Sequence, residues 1–223
     1  MIVAIQQPEH LPWLGFFDKM RRCDKYIFLD NVQFKKRYFE NRNKIRTQDG
    51  WQWVTVPVIS KGRYTQKINE VMIDHSKSWQ RNYLGRIQAS YAKAPYFNDF
   101  FSSLEEIFSK NCERLLTLNL KLINMLRNCF KVDTPCFMAS DLVQSGYSGS
   151  DLILQLCLKC GADEYLSGPD GKNYLRLDQF QENGIEVIYH TYNHLKYPQL
   201  HGENFIPHMS AVDYVFNHGN RII

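Results

Sequence analysis

Short apolar runs and amphipathic segments alternate along most of the chain. Runs rich in Val, Ile, Phe and Tyr that end at polar, Gly or Pro residues predict buried strands. These runs cover residues 1–5, 25–29, 51–59, 68–73, 134–139, 164–167 and 185–192. Apolar residues at helical spacing follow several of the runs, first from Leu14 onward. Strands that alternate with helices predict an α/β fold, with a mainly parallel sheet and flanking helices.

One stretch interrupts this alternation. Residues 77–131 contain three successive helical patterns, and Ser78 is a suitable N-cap for the first of them. We therefore expect an inserted all-helical block at approximately 77–131, packed on one side of the sheet within a single α/β domain of residues 1–223. Farther along, Gly161 is suited to end one helix, and Ser210 is suited to cap the last helix.

Composition and charge narrow the class of protein. Hydrophobic residues make up 44% of the chain and charged residues 22%, which is typical of a globular protein. No apolar run approaches the roughly 20 residues that span a bilayer, and the chain starts in a predicted strand rather than in a signal peptide. A net charge of +4 is too mild to predict a nucleic acid partner. We expect a cytoplasmic protein without a transmembrane segment.

Six cysteines are scattered along the chain. Cys157 and Cys160 form a CxxC pair, but the pair lies inside an amphipathic helical pattern and has no second CxxC or neighbouring His pair. We therefore expect free, partly buried thiols, as in a reducing cytoplasm, and no metal site.

Polar residues follow the first predicted strand directly. Gln7 and Pro8 end the strand, and a loop with His10 and Trp13 leads into the first helical pattern. A strand, a polar loop and a helix N-terminus in this order place ligands at the carboxyl edge of open α/β sheets. Neither glycine-rich phosphate-binding fingerprint is present.

A basic segment follows the second predicted strand. Its cations, all within twelve residues, are Lys35, Lys36, Arg37, Arg42, Lys44 and Arg46. Glu40 is the only counter-charge among them, and the neighbouring polar residues are Asp30, Gln33, Asn41 and Asn43. This composition predicts a loop that receives phosphate or carboxylate groups. A solvated basic loop and a surface for RNA or an anionic membrane are the alternatives.

A glycine-rich turn follows the strand predicted at 164–167. Gly168 and Gly171 allow backbone amides to approach a ligand closely and to accept an anion. Ser167 and Tyr174 flank this turn. No GxSxG elbow surrounds Ser167, so we expect it to orient a ligand rather than to act as a nucleophile.

Histidines are concentrated in the last quarter of the chain. They are His190, His194, His201, His208 and His218. Imidazoles titrate near neutral pH and are suited to proton transfer. Tyr197, Gln199 and His201 lie close together in one predicted loop, which forms either one side of a pocket or a buried, hydrogen-bonded loop.

Five motifs, in this order, resemble the WbqC-like protein family: QPEHLPWLGFFDKM, DNVQFKKRYFENRNKI, INEVMIDHSKSW, YLSGPDGKNYL and YPQLHGENFIPHMSAVDYVFNHG. The resemblance runs from Met1 to about Gly219. It implies a role in bacterial O-antigen and other surface-polysaccharide biosynthesis, as a glycine or aminoacyl transferase that acts on amino sugars. At the position of His10, the family pattern often carries a bulky aromatic residue.

The chemistry that this resemblance implies is amide formation. An activated amino acid, such as glycine, or another acyl group would be joined to the amine of a nucleotide-linked amino sugar. The reaction needs a base for the amine and donors for the tetrahedral oxyanion. His201 is our first choice of base and His194 the second, and His10 and Gln7 complete the candidate catalytic set. Gln7, Asn43 and the amides of the glycine-rich turn are candidate oxyanion donors.

The other matching residues are candidate substrate contacts. Lys36, Arg37 and Arg42 are suited to hold the diphosphate of a sugar nucleotide or the phosphopantetheine phosphate of a donor. Trp13 or Tyr174 is suited to stack on a base or a sugar. The full set comprises Trp13, Asp30, Gln33, Lys36, Arg37, Asn41, Arg42, Asn43, Ser167, Gly168, Gly171, Tyr174, Tyr197 and Gln199. No cofactor is firmly implied beyond an acyl thioester donor on a carrier protein or coenzyme A.

Two alternatives stay open. The first is an ATP-dependent ligase that activates its own amino acid as an acyl-adenylate with ATP and magnesium, although the HxGH spacing of adenylyltransferases is absent. The second is a non-catalytic subunit that binds a glycan precursor or a carrier protein through the basic segment. Stabilisation by ATP would favour the first, and tight binding of a sugar nucleotide without turnover would favour the second.

Overall fold

The chain folds into two compact units, each assembled from three separate stretches of sequence. The computed structural model describes residues 1–144, 146–202 and 204–220. The sheet unit consists of Met1–Pro8, Asp18–Val32 and Val132–Asn193. The helical unit consists of Glu9–Phe17, Gln33–Lys131 and the described residues from His194 onward.

Strands and helices alternate at both ends of the chain. The strands are β1 (Ile2–Gln6), β2 (Lys25–Phe28), β3 (Arg42–Thr47), β4 (Gly50–Thr55), β5 (Cys136–Met138), β6 (Glu164–Ser167) and β7 (Glu186–Tyr189). The α-helices are α1 (Leu14–Arg21), α2 (Trp79–Tyr91), α3 (Phe97–Ser109), α4 (Leu115–Phe130), α5 (Ala139–Leu142), α6 (Gly149–Cys160), α7 (Leu177–Glu182) and α8 (Ala211–His218). None of the helices in the described part of the chain combines the length and apolarity that crossing a bilayer requires.

The sheet unit is built on a parallel sheet with the strand order β5–β2–β1–β6–β7. Each pair of neighbouring strands in it runs parallel. Val3, Ala4 and Ile5 of the central strand β1 are buried, as their continuous apolar run predicts for a strand inside a parallel sheet. The predicted α/β class with a mainly parallel sheet is therefore confirmed.

Helix α6 contributes to the core of the sheet unit. Leu156 and Cys157 of this helix belong to the same buried cluster as Val3 and Ile5 of β1. Gly161 ends the helix in the left-handed conformation, with φ of 69°. The prediction that Gly161 ends this helix is therefore confirmed. Glycine suits the position because a residue with a side chain would be strained at this φ.

The helical unit combines α2, α3, α4 and α8 with the antiparallel pair β3–β4. Aromatic rings join its helices. Tyr83 of α2 stacks on Phe108 of α3 with ring centroids 4.8 Å apart, and Phe97 of α3 contacts Phe216 of α8 at 5.2 Å. The hydroxyl of Ser210 accepts a hydrogen bond from the amide two residues on, which confirms Ser210 as the cap of α8.

The composition of the basic segment predicted a loop over its whole length. The structure shows that part of the segment is a strand instead. Residues 42–47 form β3, which pairs with β4. The strand is stable because its polar side chains find distant partners. The side chain of Asn43 donates to the carbonyls of His10 and Leu11, and that of Arg46 donates to the carbonyls of Thr47, Gly50 and His201.

One other local prediction in the helical unit is wrong. Residues 68–73 were predicted as a strand but begin with the 3-10 turn Ile68–Glu70. The Glu70 carboxylate accepts a hydrogen bond from the Lys67 amide at 2.8 Å and stabilises this turn. Ser78 occupies the N-cap position of α2, as predicted, although its hydroxyl makes no capping hydrogen bond.

Candidate functional site

The sheet unit has a topological switch point at the carboxyl ends of β1 and β6. The chain moves from β1 to β2 on one side of the sheet, and β6 lies on the other side of β1. Open α/β sheets bind ligands in the crevice at such a point. Gln7 follows β1 here, and Ser167 and Gly168 stand where β6 ends. The structure therefore brings these three predicted residues to one edge. Across the described ranges, the half-buried side chain of Gln7 makes no hydrogen bond.

The glycine-rich turn after β6 packs tightly on itself. The hydroxyl of Ser167 is buried and donates to the Gly168 carbonyl at 3.0 Å. A Cβ atom at Gly171 would overlap the Ser167 hydroxyl, whereas a Cβ atom at Gly168 would meet no neighbouring atom. Gly171 is thus required by packing, and Gly168 leaves open space at the sheet edge. Tyr174 is about half exposed at 49%, and burial of its ring raises the pKa of its hydroxyl.

A His–Asp pair lies in the sheet unit, and the sequence did not predict it as a site. His190 follows β7, and its Nε2 lies 2.7 Å from the Asp18 carboxylate, which also pairs with Arg22 at 2.9 Å. Burial lowers the pKa of His190, and the Asp18 carboxylate opposes that shift. The neutral ring donates its Nε2 hydrogen to Asp18, and Nδ1 is left as the acceptor. The position of a His directly after a parallel strand was the signal that could have found this pair.

Asp30 joins two elements of the sheet unit. Its carboxylate is buried and accepts hydrogen bonds from the Ser140 amide at 2.9 Å and the Ser140 hydroxyl at 2.7 Å. These two bonds attach the start of α5 to the end of β2. Both carboxylate oxygens of this predicted binding residue are therefore engaged by the protein.

His201 lines a groove of about 460 Å³ in the helical unit. Its Nε2 lies 2.6 Å from the backbone carbonyl of Ser90 and donates to it, so Nδ1 is the acceptor. Gln48, Gln88 and Lys93 line the same groove. A second groove of about 840 Å³ continues along the outer face of α2. The two share Gly85, Gln88 and Ala89, and the second adds the cations Arg81 and Arg86.

The loop that carries His201 is fixed by a buried carboxylate. Asp213 of α8 accepts hydrogen bonds from the Tyr197 hydroxyl at 2.6 Å, the Tyr91 hydroxyl at 2.8 Å and the Gln199 amide at 2.8 Å. Burial raises the pKa of Asp213, and its three donors oppose that shift. Gln199 also pairs with the backbone of Ile206 in both directions. The side chains of Tyr197 and Gln199 thus bind the loop to α8 through Asp213.

His194 packs among aromatic rings with both nitrogens engaged. Nδ1 lies 3.1 Å from the Leu195 carbonyl, and Nε2 accepts the His208 amide at 3.0 Å. The ring stacks on Trp13 with centroids 6.0 Å apart, and Trp13 also contacts His208 at 5.0 Å. Burial lowers the pKa of His194. Trp13 and His194 are therefore brought together, but His194 has less free proton-accepting capacity than His201.

His10 is fully enclosed in the helical unit. Its Nδ1 lies 2.9 Å from the Asn119 side-chain oxygen, and its Nε2 lies 2.6 Å from the Tyr83 hydroxyl. Burial lowers the pKa of His10 to about 4, so the ring is neutral at physiological pH. The ring joins α2 to α4, and neither nitrogen is available to a ligand.

The two predicted asparagines of the basic segment hold backbone. Asn43 donates both amide hydrogens, to the carbonyls of His10 at 3.1 Å and Leu11 at 2.9 Å. These bonds support Leu11, which has a left-handed φ of 42°. Asn41 donates to the Val56 carbonyl at 2.9 Å. The structure therefore engages both amides in the fold of the helical unit.

The predicted cations lie on an exposed surface of the helical unit. The side chains of Lys36 and Arg37 are exposed and make no hydrogen bond, ion pair or ring contact with the described residues. The guanidinium of Arg42 stacks over Trp53 at 4.0 Å. Gln33 is also exposed, and its amide donates to the Tyr64 carbonyl at 2.7 Å. The structure places none of these four among the residues that line the His201 groove.

Glu40 is the most unusual group of the basic segment. Its side chain is 1% exposed, and its carboxylate makes no hydrogen bond of ordinary geometry with the described residues, although the backbone amides of Lys35 and Glu40 lie near it. Burial raises the pKa of Glu40 to about 7, while the Lys35 ammonium and the Lys35 and Glu40 amides oppose the shift. In the sequence, Glu40 was visible only as the single acidic residue among many cations.

Four of the six cysteines are poor nucleophiles at neutral pH. All six are free thiols. Burial raises the pKa values of the Cys129, Cys157 and Cys160 thiols, and it raises that of Cys23 to about 12. A thiol is a nucleophile only as the thiolate. These four thiols are therefore unsuited to form a covalent intermediate at neutral pH.

Comparison with known proteins gives a family-level match over nearly the whole chain. The model of a family described as the WbqC-like protein family matches residues 7–223. A protein of Mycobacterium tuberculosis, described as uncharacterized protein Rv1507c, is 34% identical over 219 residues, covering 97% of this chain and 94% of its own length. No solved structure has significant similarity to the chain.

Proposed function

Because the chain belongs to the WbqC-like protein family, we propose that it is a transferase that acts in O-antigen or other surface-polysaccharide biosynthesis. It joins an activated amino acid, such as glycine, or another acyl group to the amine of a nucleotide-linked amino sugar. The product is an amide, and the donor is a thioester of a carrier protein or coenzyme A.

The observation that carries this proposal is the arrangement of His201. Its ring lines a groove, and the Ser90 carbonyl fixes the tautomer in which Nδ1 accepts a proton. The loop that carries the ring is fixed through Gln199 and the buried Asp213. A base held in one tautomer and one orientation is what proton abstraction from an amine requires.

The reaction proceeds in balanced steps. His201 takes a proton from the sugar ammonium, and the free amine attacks the thioester carbonyl. The tetrahedral oxyanion collapses, the C–S bond breaks, and the thiol leaves with the second amine proton. The Gln48 and Gln88 amides in the groove supply donors for the oxyanion. Arg81 and Arg86 of α2 and Lys93, just after this helix, supply positive charge for the diphosphate, and Glu105 is the acid that lines the same groove as the two arginines.

Replacing His201 tests the proposal. We expect His201→Ala to lower amide formation by about 10²–10⁴-fold, the usual contribution of a general base. His75→Ala is the matched control, because the Nε2 of His75 also contacts a backbone carbonyl, that of Cys112 at 3.0 Å, but lies outside the grooves along α2. Turnover of His201→Ala within a few-fold of the wild type, with an unchanged melting temperature, would contradict the assignment.

The sheet unit favours a second candidate, the ATP-dependent ligase. Its strand order creates a switch point of the kind that binds nucleotides, and Gln7 and the amide of Gly168 lie at that edge. A thermal-shift series with dTDP-amino sugar, UDP, coenzyme A and ATP–Mg²⁺ with glycine separates the candidates. A ligand at a hundred times its Kd adds about 2.7 kcal/mol of stability. Stabilisation by the sugar nucleotide without a response to ATP supports the transferase, and the reverse supports the ligase.

A further inference from the structure

One face of the β3–β4 hairpin lies at the surface of the helical unit. Residues that stand opposite one another in an antiparallel pair share a face, and Lys44 stands opposite Trp53. Ile45 and Val54, on the other face, are fully buried. Lys44 and Trp53 are half-buried, and Trp51, two residues before Trp53 and on the same face, is 44% exposed. The hairpin therefore packs through one face and presents the other to the surroundings.

Four aromatic rings follow one another along this surface and are here called the aromatic strip: Tyr38, Phe39, Trp53 and Trp51. The centroids of successive rings lie 5.2 Å, 5.7 Å and 5.6 Å apart. Tyr38 is 42% exposed and Trp51 is 44% exposed, so both ends of the strip reach the surface. Exposed apolar groups that adjoin one another are typical of interaction sites.

Two cations lie over the rings of the strip. The Arg42 guanidinium is 4.0 Å from the ring centre of Trp53, and the Lys44 ammonium is 4.5 Å from that of Trp51. Within the part of the chain that the structure describes, neither cation forms an ion pair with a carboxylate. Their charge is therefore available to an anionic partner.

The chain around the strip adds further positive charge. Lys35, Lys36 and Arg37, directly before Tyr38, are exposed. The acids between residues 35 and 53 are Glu40, which is buried, and Asp49, which is exposed in the turn of the hairpin. The surface thus combines aromatic rings with an excess of cations.

The angles between the rings indicate which class of partner fits. Trp51 and Trp53 stand at 87° to each other, and Tyr38 and Phe39 at 76°. A nucleobase needs an open ring face on which to stack, whereas a cation of the protein already covers one face of each Trp. Trp and Tyr are enriched in the headgroup region of bilayers, where Lys and Arg are attracted to anionic lipids. The strip therefore fits a lipid surface better than a single-stranded nucleic acid.

We propose that the aromatic strip docks this protein on an anionic membrane surface. Trp51 and Tyr38 enter the headgroup region, while Arg42, Lys44 and the cations of residues 35–37 contact lipid phosphates. Each Lys or Arg near an anionic bilayer strengthens attachment by about fivefold. The attachment is peripheral and reversible. It uses a surface to which the amide transfer assigns no role, so it holds whether or not the proposed function is correct.

Co-sedimentation of the full chain with vesicles tests the proposal. One set of vesicles is phosphatidylcholine alone, and the other contains about one third phosphatidylglycerol, which supplies the anionic charge. We expect the protein to bind the anionic vesicles at low salt and the neutral vesicles at least about tenfold more weakly. High salt should release the protein, because it screens the charges of the exposed cations and the lipid.

Variants separate the charged half of the surface from the aromatic half. We expect Lys44→Gln and Arg42→Gln each to weaken binding to anionic vesicles by about fivefold. Trp51→Ala should weaken it by about tenfold, because the exposed part of the ring is no longer removed from water. Lys159→Gln, which changes an exposed lysine of the sheet unit, is the matched control and should bind like the wild type. Unchanged melting temperatures establish that each variant is folded.

Lipids with brominated acyl chains locate the contact. We expect anionic vesicles that contain them to quench the tryptophan fluorescence of the wild type. The quenching should fall in Trp51→Phe, whose ring enters the bilayer surface in the wild type. It should not fall in Trp79→Phe, the control, because Trp79 is only 9% exposed.

Three results would overturn the proposal. They are no binding to either kind of vesicle, equal binding to both kinds, and wild-type binding by both Lys44→Gln and Trp51→Ala. Tighter binding of a single-stranded oligonucleotide, with the same dependence on Trp51, would instead make the strip a nucleic acid site. These measurements contain no acyl donor or amino sugar. A protein without transferase activity that still binds through Trp51 and Lys44 would refute the proposed function and leave the docking surface intact.

Discussion

At the scale of single residues, Glu40 makes the stability of the protein depend on pH. Burial raises the pKa of its carboxyl to about 7, above the value of about 4.5 for an unburied Glu. Its stabilising contribution is therefore complete below about pH 4.5 and is lost as the pH rises through 7. A difference of about 2.5 pKa units corresponds to about 3 kcal/mol.

We therefore expect Glu40→Gln to raise the free energy of unfolding at pH 8.5 by up to about 3 kcal/mol, and to have little effect at pH 4.5. Urea denaturation at the two pH values measures this difference. Glu113→Gln serves as the exposed control. An equal effect of Glu40→Gln at both pH values would show that the carboxyl does not titrate across this range in the folded protein.

The sequence identified polar residues in the region of His201, but it did not reveal which groups they bind. The motif around Tyr197, Gln199 and His201 was found, but only His201 faces a groove, while the other two bind the buried Asp213. Buried hydrogen-bond networks and active sites use the same polar residue types. The hydrogen-bond partners of buried polar residues often lie far away in the sequence. Asn43, for example, donates to the carbonyl of His10, and a single sequence does not reveal such a pair.

At the scale of elements, the hydroxyl of Tyr197 fastens the loop that carries His201 to α8. We expect Tyr197→Phe to lower the free energy of unfolding by about 1.5–3 kcal/mol, because it removes a hydrogen bond to a buried carboxylate. Differential scanning calorimetry measures the loss. Tyr64→Phe, at a position that is 81% exposed, should have no effect. An unchanged melting temperature with weaker sugar-nucleotide binding would instead make Tyr197 a substrate contact.

The turn after β6 offers a matched pair of glycines. We expect Gly171→Ala to lower the free energy of unfolding by about 1–3 kcal/mol, because the new methyl group overlaps the Ser167 hydroxyl. Gly168→Ala should be nearly neutral, because its φ of −68° is ordinary and no atom lies near the new methyl group. Chemical denaturation of both variants measures the difference. Equal stabilities would contradict the packing that we assign to Gly171.

Elements with strong periodicity were predicted well, and elements stabilised by distant polar contacts were not. The strand β6 was predicted at its observed bounds, Glu164–Ser167, because Tyr165 and Leu166 form a short buried run that ends before the glycine-rich turn. The strand β3 was not predicted, because polar residues such as Asn43 and Arg46 are typical of loops. Their burial depends on carbonyls that only the folded chain brings near.

At the scale of the whole molecule, the alternation of strands and helices correctly indicated a mainly parallel α/β sheet. The strand order and the switch point between β1 and β6 came only from the structure. The same holds for the assembly of each compact unit from three separate stretches. Local periodicity identifies elements, but pairing between strands that are distant in sequence leaves no mark in the periodicity of either strand.

The function that we propose for this protein is amide transfer to an amino sugar from a thioester donor. The most direct measurement is mass spectrometry of a dTDP-amino sugar after incubation with the protein and glycyl-coenzyme A, in the absence of ATP. We predict a glycyl amide of the sugar nucleotide, formed by the wild type and about 10²–10⁴-fold more slowly by His201→Ala. An unaltered sugar nucleotide with this donor, together with amide formation from free glycine and ATP–Mg²⁺, would contradict the claim.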